Sequence, residues 1–224
     1  MTRDRIEYFI DKQSISYPFA IKFMESKVDK IKSGLSKEFI WFLEHNDIYT
    51  AGTSARNEDL LDSKKFPIYQ TNRGGQYTYH GPGQRIIYLM LDLKRRGYNI
   101  RRFINQLESW IIKSLKIIDI ESHTNQDKIG IWVSKKRGNK LSEEKIASIG
   151  LRVRKGITFH GISLNVNPNL ENYKGIKPCG LSSEETTSIE DIGIKISQKE
   201  LDEALINNFE KVFEAELLLT QTLP

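Results

Sequence analysis

The chain has 224 residues, a formal net charge of +5 and a pI near 9.1. Its 38% hydrophobic and 28% charged residues suit a soluble globular chain with a sizeable core, and no apolar run approaches the ~20 residues that span a membrane. One cysteine can form no internal disulfide, which fits a reducing compartment. The opening MTRDRIEYFIDK spreads charge without an apolar segment, so no secretory signal is expected and the location is read as cytoplasmic.

In chain order, residues 17–33 carry Phe19, Phe23, Met24, Lys27, Val28 and Ile31 at helical spacing. Phe39–Glu44 and Pro67–Gln70 read as buried strands, and Arg85–Leu93 as a third. A helix follows, with Ile100, Phe103, Ile104, Leu107, Ile111, Leu115 and Ile118 on one stripe. Strands are expected at Lys128–Ser134 and within 146–154 and 157–166. Ser197 and Glu200 form a capping-box pair that opens a last helix, whose buried face carries Leu201, Leu205, Phe209, Val212 and Phe213. Neither repeats nor a long linker appear. The pattern predicts a single α+β (mixed α/β) domain over 1–224, with a sheet covered by helices.

Four stretches carry candidate chemistry. Residues 73–84, RGGQYTYHGPGQ, place four glycines and a proline among Arg, Gln, Tyr and His. Glycines allow close backbone approach to a ligand, although a plain glycine-rich hairpin is the common alternative. Cys179 lies between Pro178 and Gly180, outside any apolar periodicity. A lone cysteine is more often inert and buried. To attack, it needs a neighbouring cation or base that favours the thiolate. His45, His80, His123, His160 and many lysines are available, and spacing does not choose among them. Lys145 directly precedes the apolar run of KIASIGLR, at the edge of a site or simply in solvent. His160 stands beside Gly161 in TFHGISLNVN, where a hydrogen-bonded structural histidine is the default.

Basic clusters at Lys94-Arg95-Arg96, Arg101-Arg102, Lys135-Lys136-Arg137 and Arg152–Lys155 suit either an ordinary lysine-rich surface or an acidic partner. Aromatic residues do not alternate with them as a base-stacking surface requires, so no specific nucleic acid is expected.

RGGQYTYHGPGQ (73–84), KIASIGLRVRKG (145–156), TFHGISLNVN (158–167), PCG (178–180) and, less closely, LEHNDIYTAG (43–52) occur in one order. In that order they resemble the lipoyl(octanoyl) transferase family. The family usually has a proline-containing segment after LEH, where Asn46-Asp47 stand here, and 181–196 matches none of its patterns. The resemblance implies the fold shared by biotin and lipoate protein ligases, a mixed, largely antiparallel sheet flanked by helices, with a catalytic core at 34–218.

It further implies that Cys179 is the acyl-accepting nucleophile and Lys145 the residue that lowers its pKa. Arg73, Gly74, Gly75, Gln76, Tyr77, Thr78, Tyr79 and His80 would line the acyl pocket, with Ser148, Ile149, Gly150, Gly161, Ile162 and Ser163. Tyr77 and Tyr79 are expected in its wall. The implied reaction is the first step of endogenous protein lipoylation. An octanoyl (or lipoyl) group passes from octanoyl-acyl carrier protein to a lysine of lipoyl domains, on 2-oxoacid dehydrogenase complexes and the glycine cleavage H protein. No ATP, metal or membrane is implied. The alternatives are an ATP-dependent lipoate or biotin ligase on the same fold, which needs no cysteine, and a non-catalytic basic binding module.

Overall fold

The computed structural model describes residues 4–178 and 185–224, so the predicted nucleophile Cys179 lies outside the described residues. Its strands are β1 (Asp4–Ile15), β2 (Phe39–His45), β3 (Ile48–Ala51), β4 (Ile68–Gln70), β5 (Tyr77–His80) and β6 (Gln84–Met90), then β7 (His123–Thr124), β8 (Ile131–Arg137), β9 (Lys140–Arg154), β10 (Ile157–Asn165) and β11 (Ala215–Leu219). The helices are α1 (Tyr17–Lys32), α2 (Ile100–Ile117) and α3 (Gln198–Phe213).

Eight strands form one sheet in the order β11-β1-β2-β6-β10-β9-β8-β7, and β4-β3-β5 form a smaller one. In the large sheet β1 runs parallel to β2 and β11, and the remaining pairs are antiparallel. This is the mixed, largely antiparallel sheet that the resemblance implied.

Central strands β2 and β6 carry unbroken apolar runs, Phe39–Leu43 and Ile86–Met90, because both faces are covered. Ile40 and Phe42 of β2, with Ile87 and Leu89 of β6, face α2 and α3. Phe39, Trp41 and Leu43, with Ile86, Tyr88 and Met90, face α1. Period-two alternation thus feeds two cores from the same strands. Helix α2 buries Phe103, Leu107, Trp110, Ile111 and Leu115, each stabilising by ~1.5–3 kcal/mol. The Trp110 indole donates to the Leu205 carbonyl at 2.7 Å, tying α2 to α3. The Ser197/Glu200 capping box opens α3 as expected.

Several boundaries differ from the sequence reading. β4 is a half-exposed edge of the small sheet rather than a buried strand. In α1 Phe19 is half exposed, and Tyr17, Ala20, Met24, Lys27 and Val28 carry the buried face. β9 begins at Lys140, so Lys145 lies inside a long hairpin strand and not before it. Lys128–Gly130 precede β8 as irregular backbone. β1 and β11 were not anticipated, and β1 is hydrogen-bonded between β2 and β11, upstream of the start of the 34–218 core.

Candidate active site

The glycine-rich loop is built around Arg73. Its guanidinium donates to the Thr50 carbonyl (2.7 Å), the Thr50 hydroxyl (2.8 Å) and the Gly74 and Gln76 carbonyls (3.0 and 2.8 Å). The side chain is 6% exposed, so it fixes the loop from within. Gly52 packs against the loop, where an added Cβ would meet the Gly75 carbonyl oxygen at 2.2 Å.

β9 and β10 set the other wall. Their register pairs Ser148 with Ser163, Ile149 with Ile162 and Gly150 with Gly161, so the two predicted triplets are cross-strand neighbours. Gly161 is required by the close approach of β6, because a Cβ there would lie 2.0 Å from the Ile87 carbonyl oxygen.

These elements enclose an inner cleft of about 500 Å³, its open mouth included. It is lined by Arg73, Gly74, Gly75, Thr78, His80, Ser148, Ile149, Gly150, Gly161, Ile162 and Ser163. Tyr17, Ile86, Tyr88 and His160 line it as well. Alternation along β6 in RIIYLML could have flagged Ile86 and Tyr88. Tyr17 gave no signal beyond preceding a helix-opening proline. Tyr77 and Tyr79 do not line it. The same alternation that turns Thr78 and His80 inward turns these two rings into a separate cluster with Tyr49, Tyr173 and Ile176. There the Tyr79 hydroxyl donates to Asp47 at 2.5 Å. The Gln76 side chain does not line the cleft either; Gln76 instead serves the loop through its backbone carbonyl.

Three buried histidines cluster here, His80 and His160 lining the cleft and His45 behind them. His45 Nδ1 lies 2.6 Å from the Ile15 carbonyl, which can only accept, so that nitrogen carries the proton and the Tyr88 hydroxyl donates to Nε2 at 2.7 Å. His80 Nδ1 meets Gln84 Oε1 at 2.7 Å, and His160 Nε2 meets the Tyr17 hydroxyl at 3.2 Å. His160 holds φ at +63°. Burial pushes all three below the usual imidazole range, His45 to about 4 and His80 and His160 to about 3, and the cations of Arg73 and Arg152 further depress His160. All three are neutral at physiological pH. His123 lies apart, exposed and paired with Glu143 at 2.5 Å.

Lys145 is 6% exposed. Its amine donates to the Ile129 carbonyl at 3.0 Å and lies 4.8 Å from the centre of the Trp132 ring. It lines a wider outer cleft of about 1150 Å³, open solvent included, which shares Gly74, Gly75, Ile149 and Gly150 with the inner one. The two clefts therefore adjoin along the backbone of these shared residues. The chain leaves the described residues at the buried Pro178 and is described again from Glu185. Thr186 then bridges to Lys145, and Thr187 N–H donates to the Lys145 carbonyl at 3.0 Å. The chain on the far side of Cys179 thus returns to the strand that bears the lysine.

The family described as lipoyl protein ligase A/B catalytic domain matches residues 16–210. An octanoyltransferase of Wolbachia pipientis subsp. Culex pipiens is 50% identical over 208 residues, covering 92% of this chain and 99% of that protein. Those of Bartonella tribocorum and Parvibaculum lavamentivorans are 47% and 46% identical, covering 93% and 95% of this chain and 87% and 94% of the relatives. Among solved structures, lipoate-protein ligase A bound with ATP superposes with a TM-score of 0.70 at 14% identity, covering 99% of this chain and 91% of that one. A bi-partite lipoate protein ligase from Thermoplasma acidophilum gives 0.69 at 17% identity, covering 100% and 89%. At those identities the likeness speaks for the fold alone. The sequence relatives carry the assignment: this chain belongs to the lipoyl protein ligase A/B catalytic-domain family and, within it, to the octanoyltransferases.

Proposed function

We propose that octanoyl transfer, the activity its closely similar relatives are named for, proceeds here through an octanoyl thioester on Cys179, with Lys145 handling the protons. The donor is octanoyl-acyl carrier protein and the acceptor a lysine of a lipoyl domain, as the first step of protein lipoylation in the cytoplasm. The observation that carries the reading is the position of Lys145. Its buried amine lines the outer cleft, which adjoins the inner one through Gly74, Gly75, Ile149 and Gly150, and it stands on the strand to which the chain returns after Cys179.

As an ammonium, Lys145 favours the Cys179 thiolate by charge pairing. The sulfur attacks the thioester carbonyl and the carrier's thiolate leaves, taking a proton from Lys145. Lys145 is then the neutral amine that the second half-reaction needs. The acceptor lysine, having given one proton to solvent, attacks the acyl-Cys179 thioester as the neutral amine, the amide forms, the second proton passes to Lys145, and the Cys179 thiolate departs. Thioester exchange is nearly isoenergetic and aminolysis is downhill, so no ATP is consumed.

Backbone geometry nominates an oxyanion donor. Leu151 accepts from Gly74 N–H at 3.1 Å, so its polar groups point away from β10. Ala147 pairs with Ile131 of β8 on that same side. Ile149 stands between them, past the end of β8, and its N–H opens toward the floor shared by both clefts. Ile86, Ile149 and Ile162 give the inner cleft apolar wall. Burying six or so methylenes of an octanoyl chain stabilises the complex by ~5 kcal/mol. Arg101 and Arg102, exposed on the first turn of α2 beside the outer-cleft residues Ile100 and Ile104, suit an acidic protein partner.

The decisive assay supplies octanoyl-acyl carrier protein and an unmodified lipoyl domain without nucleotide or added metal. Octanoyl-lysine should form at a rate that ATP does not change. Free octanoate with ATP should give no product. Product only from octanoate and ATP would make the chain a ligase.

A further inference from the structure

We propose that Glu108 is a positioning residue for Lys145, acting through the single peptide unit that joins Ile129 to Gly130. The inference rests on the reading of Lys145 as the proton-handling group. Glu108 is 8% exposed, on the face of α2 turned to the sheet, where an acidic side chain is costly unless it has a task. One of its carboxylate oxygens accepts from Gly130 N–H at 3.3 Å. The carbonyl at the other end of the same peptide, that of Ile129, accepts from Lys145 Nζ at 3.0 Å. The N–H and C=O of a trans peptide point in opposite directions, so carboxylate and amine grip the unit from its two ends. An anion at the N–H end polarises the peptide and strengthens its carbonyl as an acceptor for a cation.

The surrounding geometry is specific to this grip. Gly130 has φ of +132°, and a Cβ there would lie 2.7 Å from the Ala147 carbonyl oxygen and 3.2 Å from Lys145 Cε, so only glycine lets the peptide lie against the lysine stem. The pairing of β8 with β9 shifts register between Ile131 and Trp132, which leaves Ile146 as an extra residue and sets Trp132 directly opposite Lys145. The indole face 4.8 Å from the amine adds a second group that favours the ammonium. The device acts on the ammonium that the first half-reaction requires.

Cys179 is the chain's only cysteine, so its alkylation rate against pH reads the thiol without interference. Lys145→Ala should raise the apparent thiol pKa. Glu108→Met, close in size but without an acceptor, should move the profile in the same direction and lower kcat about tenfold, the worth of one hydrogen bond. Glu108→Ala, a smaller replacement, should do the same if methionine disturbs folding. Glu108→Gln keeps a carbonyl oxygen for Gly130 N–H but loses the charge, and its profile should fall between those of the wild type and Glu108→Met. A shift with Lys145→Ala but none with Glu108→Met or Glu108→Ala would overturn the role of Glu108. No shift with Lys145→Ala would instead remove the lysine from activation, a separate failure.

Discussion

At the scale of single residues, the three buried histidines tie the cleft to pH. His45, His80 and His160 are neutral in the folded protein, with pKa values near 4, 3 and 3. In the unfolded chain each takes up a proton below about pH 6.5. The unfolded state then binds more protons, so stability falls as pH drops through 6.5 and keeps falling toward pH 4. Three such groups give a slope of up to about 4 kcal/mol per pH unit. The urea midpoint should therefore drop steeply between pH 7 and pH 5, and His80→Gln should flatten the slope. A midpoint constant over that interval would mean that these imidazoles are protonated in the fold. Spacing in the sequence did not choose among the four histidines, and only the resemblance singled out His80. Burial ranks them, leaving His123 outside, and burial follows from sheet pairing rather than from spacing. The case of Tyr77 and Tyr79 is the reverse. Both were legible as part of the motif, yet alternation along β5 sends their rings to another cluster.

At the scale of elements, the close approach of β6 and β10 is the feature on which the cleft floor depends. Gly161→Ala would force a Cβ against the Ile87 backbone, which cannot step aside, and should destabilise by about 3 kcal/mol. Gly150→Ala meets Arg73 Cδ at 3.2 Å and the Gly74 carbonyl oxygen at 3.6 Å, much looser contacts than those at Gly161, and should cost about 1 kcal/mol. Urea denaturation of the two variants measures both, and equal losses would contradict the close-approach argument. Elements with strong local signals, α2 with its stripe and α3 with its capping box, were readable in advance. β1 and β11 were not. DRIEYFIDKQSI mixes charge with apolar residues, and its strand state comes from partners far along the chain, Asp4 with Ala215 and Glu7 with Phe39. Such pairings leave no local trace.

At the scale of the whole molecule, the net charge of +5 overstates the free basic surface. Arg95 and Arg96 pair with Glu38, Lys135 with Asp191, Arg137 with Glu144, and Arg154 and Lys155 with Asp29. Among the described residues, Lys94, Arg101 and Arg102 have no carboxylate within ion-pair distance. Composition alone could not separate charges used within the fold from those open to a partner. The order of the motifs did carry the architecture, because residues of 73–84, 145–156 and 158–167 line one cleft.

Covalent catalysis requires an acyl-enzyme. Intact-mass spectrometry after brief incubation with octanoyl-acyl carrier protein, with no acceptor present, should find one octanoyl group on the chain, mapped to Cys179. Addition of a lipoyl domain should discharge it. Turnover at the normal rate by a chain that never carries the adduct, or by Cys179→Ser, would contradict covalent catalysis.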